Sequence, residues 1–433
     1  MAKRAPQMSD LRYLGTVEGP RRGSNGLGDP LFGSGLSLRR MDDGSLRLYF
    51  ASYNPVDLVQ ATIPGSCTGK LEGIKKIGQL PCHWSKPWGL YYDPPDNALF
   101  LTCHNDYDGD VATAPTVSRG YLDDASGTLT TDKQWAFDRS DKYTDGGICA
   151  LPDGRLACGF GGYRSVVATG PASMGAALAA FDRPVRGYTG TIPTSALLQY
   201  PYSTNFVPRM NRPPNYQNDI AGDNPGYKNP PPGWTTWADW NQQTGVWIET
   251  TNLSGLLMVW MRATGRVWYT NQVEADGWQF DLVCYSRVIL DNEGQPAPEG
   301  NYQPVVDEPF MAPGFPVSIG WGSVPPRVVT GVAYEPESRT LVVGLTKTFG
   351  TDAATWATGY FLFEVVDDEI PPEPEPPEPD QQATYEVLKV SSQRQRVQAT
   401  SIGSAIDAAE TSGQWSDTGR RTYDVEKLEE QGE

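Results

Sequence analysis

Residues 35–53, GLSLRRMDDGSLRLYFASY, read as two strands joined by a tight turn. A glycine leads an apolar run through Leu36 and Leu38, Asp43-Gly44 supplies the turn, and Leu46, Leu48 and Phe50 resume on the far side. Asp-Gly is a hairpin signal because short loops need residues that tolerate positive φ. The same frame returns as GLYYDPPDNALFLTCH from Gly89 and GICALPDGRLACGFGGY from Gly147. It returns again as GVWIETTNLSGLLMVWMRATG from Gly245 and GVAYEPESRTLVVGLTKTFG from Gly331. Asp-Gly, Pro-Asp, Ser-Gly or Pro-Glu-Ser marks each turn, and β-branched or aromatic residues flank it.

The five copies begin 54, 58, 98 and 86 residues apart. Repeats of about 40–50 residues per four-stranded unit are the signature of a β-propeller. The wide 98-residue interval has room for a further blade, with SMGAALAAFDRP (173–184) reading as its inner strand. The expected fold is therefore an all-β propeller of five to seven blades over residues 15–366. A β-sandwich also shows irregular hairpins, but here the same glycine-led unit recurs across the whole body. Residues 1–14 are read as an N-terminal segment.

Composition agrees with that class. Forty-six Gly and 37 Pro are turn formers, while 13 Trp and 21 Tyr are too many for a disordered chain. The formal net charge of −17 argues against a duplex nucleic acid partner, which needs a basic face to displace counterions. No apolar run reaches the ~20 residues of a membrane span. MAKRAPQMSDLRYLG lacks the apolar stretch of a secretory signal. Cys67, Cys82, Cys103, Cys149, Cys158 and Cys284 are spread without a CxxC pair, so reduced thiols are expected and zinc is not.

Two segments break the pattern. Residues 201–240, PYSTNFVPRMNRPPNYQNDIAGDNPGYKNPPPGWTTWADW, are rich in proline and aromatics and read as an ordered loop on one face. At Val366 the composition changes to DDEIPPEPEPPEPDQQ (367–382), a stiff, self-repelling linker. Beyond it, residues 383–433 form an acidic arm in which TYEVLKV alternates like a short strand and SAIDAAE fits about two helical turns. Residues 367–433 carry sixteen acidic and six basic side chains, so the arm is expected to order on a partner. Neighbouring copies or other structural proteins are the expected partners.

Catalytic machinery is sparse. GLGDPLF, with Asp29 before a proline, resembles the first-blade carboxylate of five-bladed glycoside hydrolases that act on arabinans, xylans or fructans. That resemblance implies two Asp and one Glu from the first three blades. Asp93 or Asp145 can stand as the second carboxylate. The third is harder: no glutamate occurs between Glu72 and Glu249, which leaves Glu249 from a later blade. Only His83 and His104 could serve a serine or cysteine nucleophile, and Cys82–His83 are strand neighbours that point to opposite faces. No sialidase Asp box, nucleophile elbow or nucleotide-binding fingerprint is present. HNDYDGD (104–110) gathers Asn105, Asp106, Asp108 and Asp110, which makes calcium the one cofactor to consider, although the glycine falls a place early for an EF-hand loop. Trp234, Trp237 and Trp240 are the candidate binding platform for a glycan ring.

The phrases LPDGRLACGFGGY, GAALAAFD, TGRVWY and AYEPESRTLVVG resemble uncharacterised bacterial and phage-encoded propeller proteins across most of residues 30–350. That resemblance supplies no catalytic residues. With the missing signal sequence and the acidic arm, it implies a non-enzymatic structural or attachment component of a larger assembly, a virion released by lysis. The body would present loops to a host glycan, and residues 367–433 would tether it. The alternative is a carbohydrate-active propeller using Asp29, Asp93 and Glu249, or a glycan-binding module.

Overall fold

Each of the five glycine-led hairpins forms the two inner strands of a blade, and the blades number five. The structure, a computed structural model, describes residues 3–21, 35–52, 56–82, 87–103, 115–138, 147–159, 177–199, 244–263, 278–286, 305–315, 318–319, 329–350, 356–367, 383–389, 393–399 and 423–427. Strand β1 (Leu11–Arg21) opens the chain. The first blade pairs β2 (Leu36–Arg40), β3 (Leu46–Ala51) and β4 (Asp57–Ile63) in order; the two-residue strand β5 (Gly69–Lys70) that follows joins the sheet of the fifth blade, and β6 (Glu72–Gln79) forms the rim of the first. The second runs outward as β7 (Pro87–Asp93), β8 (Ala98–Cys103), β9 (Val117–Asp123) and β10 (Thr128–Trp135). The third is β11 (Gly147–Ala150), β12 (Leu156–Gly159), β13 (Ala177–Phe181) and β14 (Ser195–Gln199). In the fourth, β15 (Thr244–Glu249), β16 (Ser254–Ala263), β17 (Trp278–Ser286) and β18 (Val306–Pro309) pair in order, and β19 (Ser318–Ile319) also pairs with β17. The fifth holds β20 (Val329–Glu335), β21 (Thr340–Phe349) and β22 (Ala357–Val365).

The fifth blade takes its outer strand from the other end of the chain. β1 pairs antiparallel with β22, Leu11 opposite Val365 and Val17 opposite Tyr360. β5 adds a parallel pair to the far edge of β1. The start of the chain thus closes the ring by backbone hydrogen bonds to its last strand. Closure of this kind removes an open edge that would otherwise template aggregation.

The structure differs from the sequence-based expectation in two places. SMGAALAAFDRP does not open a hidden blade: Ala177–Phe181 is the third strand of blade three, between β12 and β14. The wide interval reflects long segments between strands, 160–176 and 200–243, which lie outside the described residues. In the fourth copy the turn is Thr250–Leu253, closed by the Thr250 N–H to the Leu253 carbonyl at 2.9 Å, and Ser254-Gly255 already belongs to β16.

The inner strands explain the leading glycines. A β-carbon on Gly35 (φ +98°) would lie 2.6 Å from the Leu90 nitrogen, and one on Gly331 would lie 2.9 Å from the Leu36 nitrogen. Neighbouring inner strands meet so closely near the axis that only glycine fits. In the turns that follow, positive φ falls on Gly44, Asn97 and Gly154, residue types that tolerate it, and also on Arg339, which does not belong to them. Between blades the seams are apolar. Leu38, Phe50, Val342 and Tyr360 fill the one between blades five and one, and Tyr49, Leu58, Leu90 and Leu101 the next. Replacing Gly331 by valine is expected to cost about 3 kcal/mol, because the clash is with backbone of the adjoining blade. A chemical denaturation midpoint equal to that of the native chain would contradict the close approach.

Residues 368–433 form a separate unit. Its described part is an antiparallel sheet in which β23 (Ala383–Lys389) lies between β24 (Gln393–Ala399) and β25 (Tyr423–Lys427). TYEVLKV is therefore read correctly as a strand, while SAIDAAE lies outside the described residues.

Candidate functional site

All five inner strands run toward the same end of the propeller, so their last residues converge around the axis. Between them lies a cavity of about 460 Å³ with walls from β2, β7, β11, β15 and β20 and from the turns that follow them. Leu36, Leu90, Ile148, Val246 and Val332 give it an apolar inner wall. Tyr91, Tyr334 and the edge of Trp247 add aromatic surface; both tyrosines are partly exposed, and Trp247 is largely buried. Arg39, Arg40, Glu249, Glu335 and Glu337 bring charge to the strand ends.

The charged groups are held in fixed pairs. Arg39 makes a two-pronged bond to Asp124 at 2.7 and 2.8 Å, donates to Asn97 at 3.1 Å, and lies 4.9 Å over the Tyr92 ring. The Arg39 bond in turn holds the Asp124 carboxyl below its ordinary range. Arg40 meets Glu337 at 3.0 Å. Glu335 accepts from the Glu337 and Ser338 amides at 3.2 and 2.7 Å and from the Ser338 hydroxyl at 2.6 Å, capping its own hairpin turn.

Glu249 stands at the end of β15. Its carboxylate pairs with the Lys3 ammonium and accepts from the Trp247 indole N–H at 3.0 Å and the Ser254 hydroxyl at 2.6 Å. Burial pushes its pKa up, but Lys3, Ser254 and Trp247 together outweigh burial and leave it below the usual value. Lys3 is delivered by a strap. Arg4 pairs with the fourth-blade turn through two backbone bonds, to the Asn252 carbonyl at 2.9 Å and from the Ser254 amide at 2.8 Å. The Arg4 guanidinium is clamped on both oxygens of Asp10 at 2.5 Å. Asp367 holds the same turn from its other side, accepting from Thr250, Thr251 and Asn252 at 2.9–3.0 Å.

Of the carboxylates singled out in the sequence, Asp93 and Glu249 end inner strands of blades two and four. Glu249 lines the cavity; Asp93 is fully buried behind the wall and absent from it. One Asp93 oxygen accepts from Arg183 at 2.8 Å, and the other has no partner. Burial raises its pKa, only partly offset by Arg183. Burial, with Asp93 nearby, also pushes the Tyr91 phenol up to about 12. Cys149, on the cavity wall, is buried and pushed up to about 12, so its thiol stays protonated and unreactive at neutral pH. Asp29, Asp145, Trp234, Trp237, Trp240, Asn105, Asp106, Asp108, Asp110, His83 and His104 lie outside the described residues. Among the described residues no three His, Cys, Asp or Glu side chains gather as a metal site, no helix is long and apolar enough to cross a membrane, and none of the six cysteines is joined in a disulfide.

Sequence reading missed Lys3, Arg39, Asp124 and Arg183. Lys3 and Glu249 are 246 residues apart, and only ring closure brings them together. Arg39 carried a detectable signal, since a basic residue inside an inner-strand repeat needs a buried or facing partner.

No protein-family model matches the chain, and no curated protein matches it in sequence. Solved structures do match in fold. The catalytic domain of a GH62 alpha-L-arabinofuranosidase from Coprinopsis cinerea aligns at 9% identity and TM-score 0.39, over 82% of this chain and 98% of that one. An alpha-L-arabinofuranosidase from Lactobacillus brevis aligns at 9% identity and TM-score 0.37, over 78% and 93%. An endo-arabinase from Bacteroides thetaiotaomicron aligns at 11% identity and TM-score 0.35, over 86% and 100%. These findings correct the expectation of a non-enzymatic virion component, for the matched structures are arabinofuranosidases and an arabinase. That expectation rested on short phrases resembling phage-encoded propellers, on the missing signal sequence and on the acidic arm, none of which bears on chemistry in the body.

Proposed function

We propose that the body is a carbohydrate-active propeller that takes a glycan at its axial cavity, with glycosidic hydrolysis as its reaction. The supporting observation is the cavity itself, a concave space whose apolar and aromatic wall ends in a few fixed polar groups. A sugar ring calls for that mixture: its C–H faces pack on apolar and aromatic surface, and its hydroxyls need oriented partners. Glu249, held in its charged form by Lys3, fits the carboxylate that activates a water or balances the positive charge of an oxocarbenium-like transition state. A group with a depressed pKa is a poor proton donor, so the general acid must be another residue. Asp29, on its Asp-Pro resemblance, is the proposed second carboxylate.

The test incubates the full chain with arabinan, xylan and fructan and follows new reducing ends. Release from at least one polymer is expected, and Asp29→Asn or Glu249→Gln should slow it by about 10² or more. No release from any polymer, together with no retardation in gels containing them, would sink the reading. Full activity in both variants would remove these two residues from the mechanism.

A further inference from the structure

We infer that residues 400–422 cross back over the C-terminal sheet and cover one of its faces, so that residues 383–433 close into a unit of their own. The strand order carries this. β23 lies in the middle and pairs antiparallel with both β24 and β25. The two outer strands therefore run parallel to each other on opposite edges. The chain leaves β24 at Ala399 and enters β25 at Tyr423. Residues 400–422 must pass from one edge to the other, and from one end of the sheet back to its opposite end. Parallel strands need a crossover of about a dozen residues or more, usually a helix, and the crossover packs on a face of the sheet.

Register decides which face. Tyr385 stands opposite Val397 and Lys427, Val387 opposite Gln395 and Val425, and Lys389 opposite Gln393 and Tyr423. Period two then puts Tyr385, Val387, Val397, Tyr423 and Val425 on one face. The other holds Glu386, Leu388, Arg394, Arg396, Asp424 and Glu426, with Glu386 opposite Arg396. Three short strands are stable by themselves only when an apolar face is buried, and covering the second face would strip several charges of water. The crossing segment has the matching pattern. Ile402, Ala405, Ile406 and Ala409 keep the spacing of one helix face, Ser404 with Asp407 makes a capping-box pair, and Gly413 is a stop signal. As a helix, residues 404–412 would span about 14 Å, which fits along strands of five to seven residues, about 17–23 Å long. On this arrangement the acidic arm orders on its own segment and needs no neighbouring copy.

Hydrogen–deuterium exchange of the full chain, read by mass spectrometry, tests this. Amides of residues 405–411 should exchange at least about ten-fold more slowly than in an unstructured peptide, and equally so at about 1 and about 100 μM chain. Ile406→Asp sets a charge on the covering side and should speed exchange across 383–399 and 423–427 at least about ten-fold, with strand β1 of the body unchanged. Thr411→Asp adds the same charge on the opposite side of that helix and should leave the sheet as it was. Unprotected amides at 405–411 in the native chain would overturn the inference without any variant. Sheet protection that appears only at the higher concentration would overturn it too, since a second copy would then be the cover. The inference also falls if Ile406→Asp changes nothing, or if both variants loosen the sheet alike.

Discussion

A chain that begins at residue 22 is expected to lose its cooperative fold. Removing residues 1–21 strips blade five of its outer strand and leaves β22 unpaired along an edge that includes Tyr360, Phe361 and Phe363. Those side chains are 2%, 1% and 0% exposed in the intact molecule. The deletion also removes buried Leu11 and Val17, the Arg4–Asp10 clamp and the Lys3 partner of Glu249. Native domains hold only about 5–15 kcal/mol in reserve, and losing a strand of the closing sheet exceeds that. The near-UV circular dichroism signal should vanish and the protein should aggregate on concentration. Register offers a rescue. The Val366 amide donates to the Asp10 carbonyl at 2.8 Å, so the end of β22 lies beside the start of β1. Inserting a copy of residues 9–21 after Asp367 through a short turn should restore the sheet as an ordinary hairpin. A sharp melting transition in the uncorrected deletion would show that β1 is dispensable.

The second large effect is expected at Arg119, whose side chain is fully buried on the third strand of blade two. Its guanidinium meets Asp132 at 2.6 Å and Asp96 at 3.5 Å, and donates to the carbonyls of Pro184 and Val185 in blade three. It also lies 5.1–5.6 Å over the rings of Phe100, Tyr121 and Trp135. One side chain therefore ties two blades together through charge, hydrogen bonds and aromatic faces. Arg119→Met keeps much of the volume but strands Asp132 and two carbonyls, and should cost about 3–5 kcal/mol. Adding Asp132→Leu removes one stranded group, so the double variant should unfold later than the single one. Equal or greater loss in the double variant would mean that packing, and not the buried charge, sets the cost. Urea denaturation followed by tryptophan fluorescence reads both.

The inner halves of the blades were legible because their constraints are local. A glycine is forced where strands crowd the axis, as at Gly35 and Gly331, and a turn residue is forced at positive φ, as at Gly44, Asn97 and Gly154. The outer halves were not, because long segments separate them and nothing local says where Ala177–Phe181 pairs. The closing strand was also invisible, since LRYLGTVEGPR finds its partner at the opposite end of the body. At the site, the sequence marked Glu249 but not its state. That state depends on Lys3, which residue spacing cannot relate to it. Asp93 shows the converse: Asp before Pro-Pro looked available, yet the fold buries it against Arg183. Carboxylates are legible as residue types, whereas their ionisation and access are set by partners that only the closed ring supplies.

Glycan binding at the axial cavity is the proposal on which the rest depends. A crystal structure of the full chain soaked with arabinotriose or xylotriose tests it most directly. The expected result is a sugar ring on the axis, in contact with inner strands of at least three blades and within hydrogen-bond distance of Glu249. A sugar bound only elsewhere on the molecule, with the cavity holding solvent alone, would contradict it.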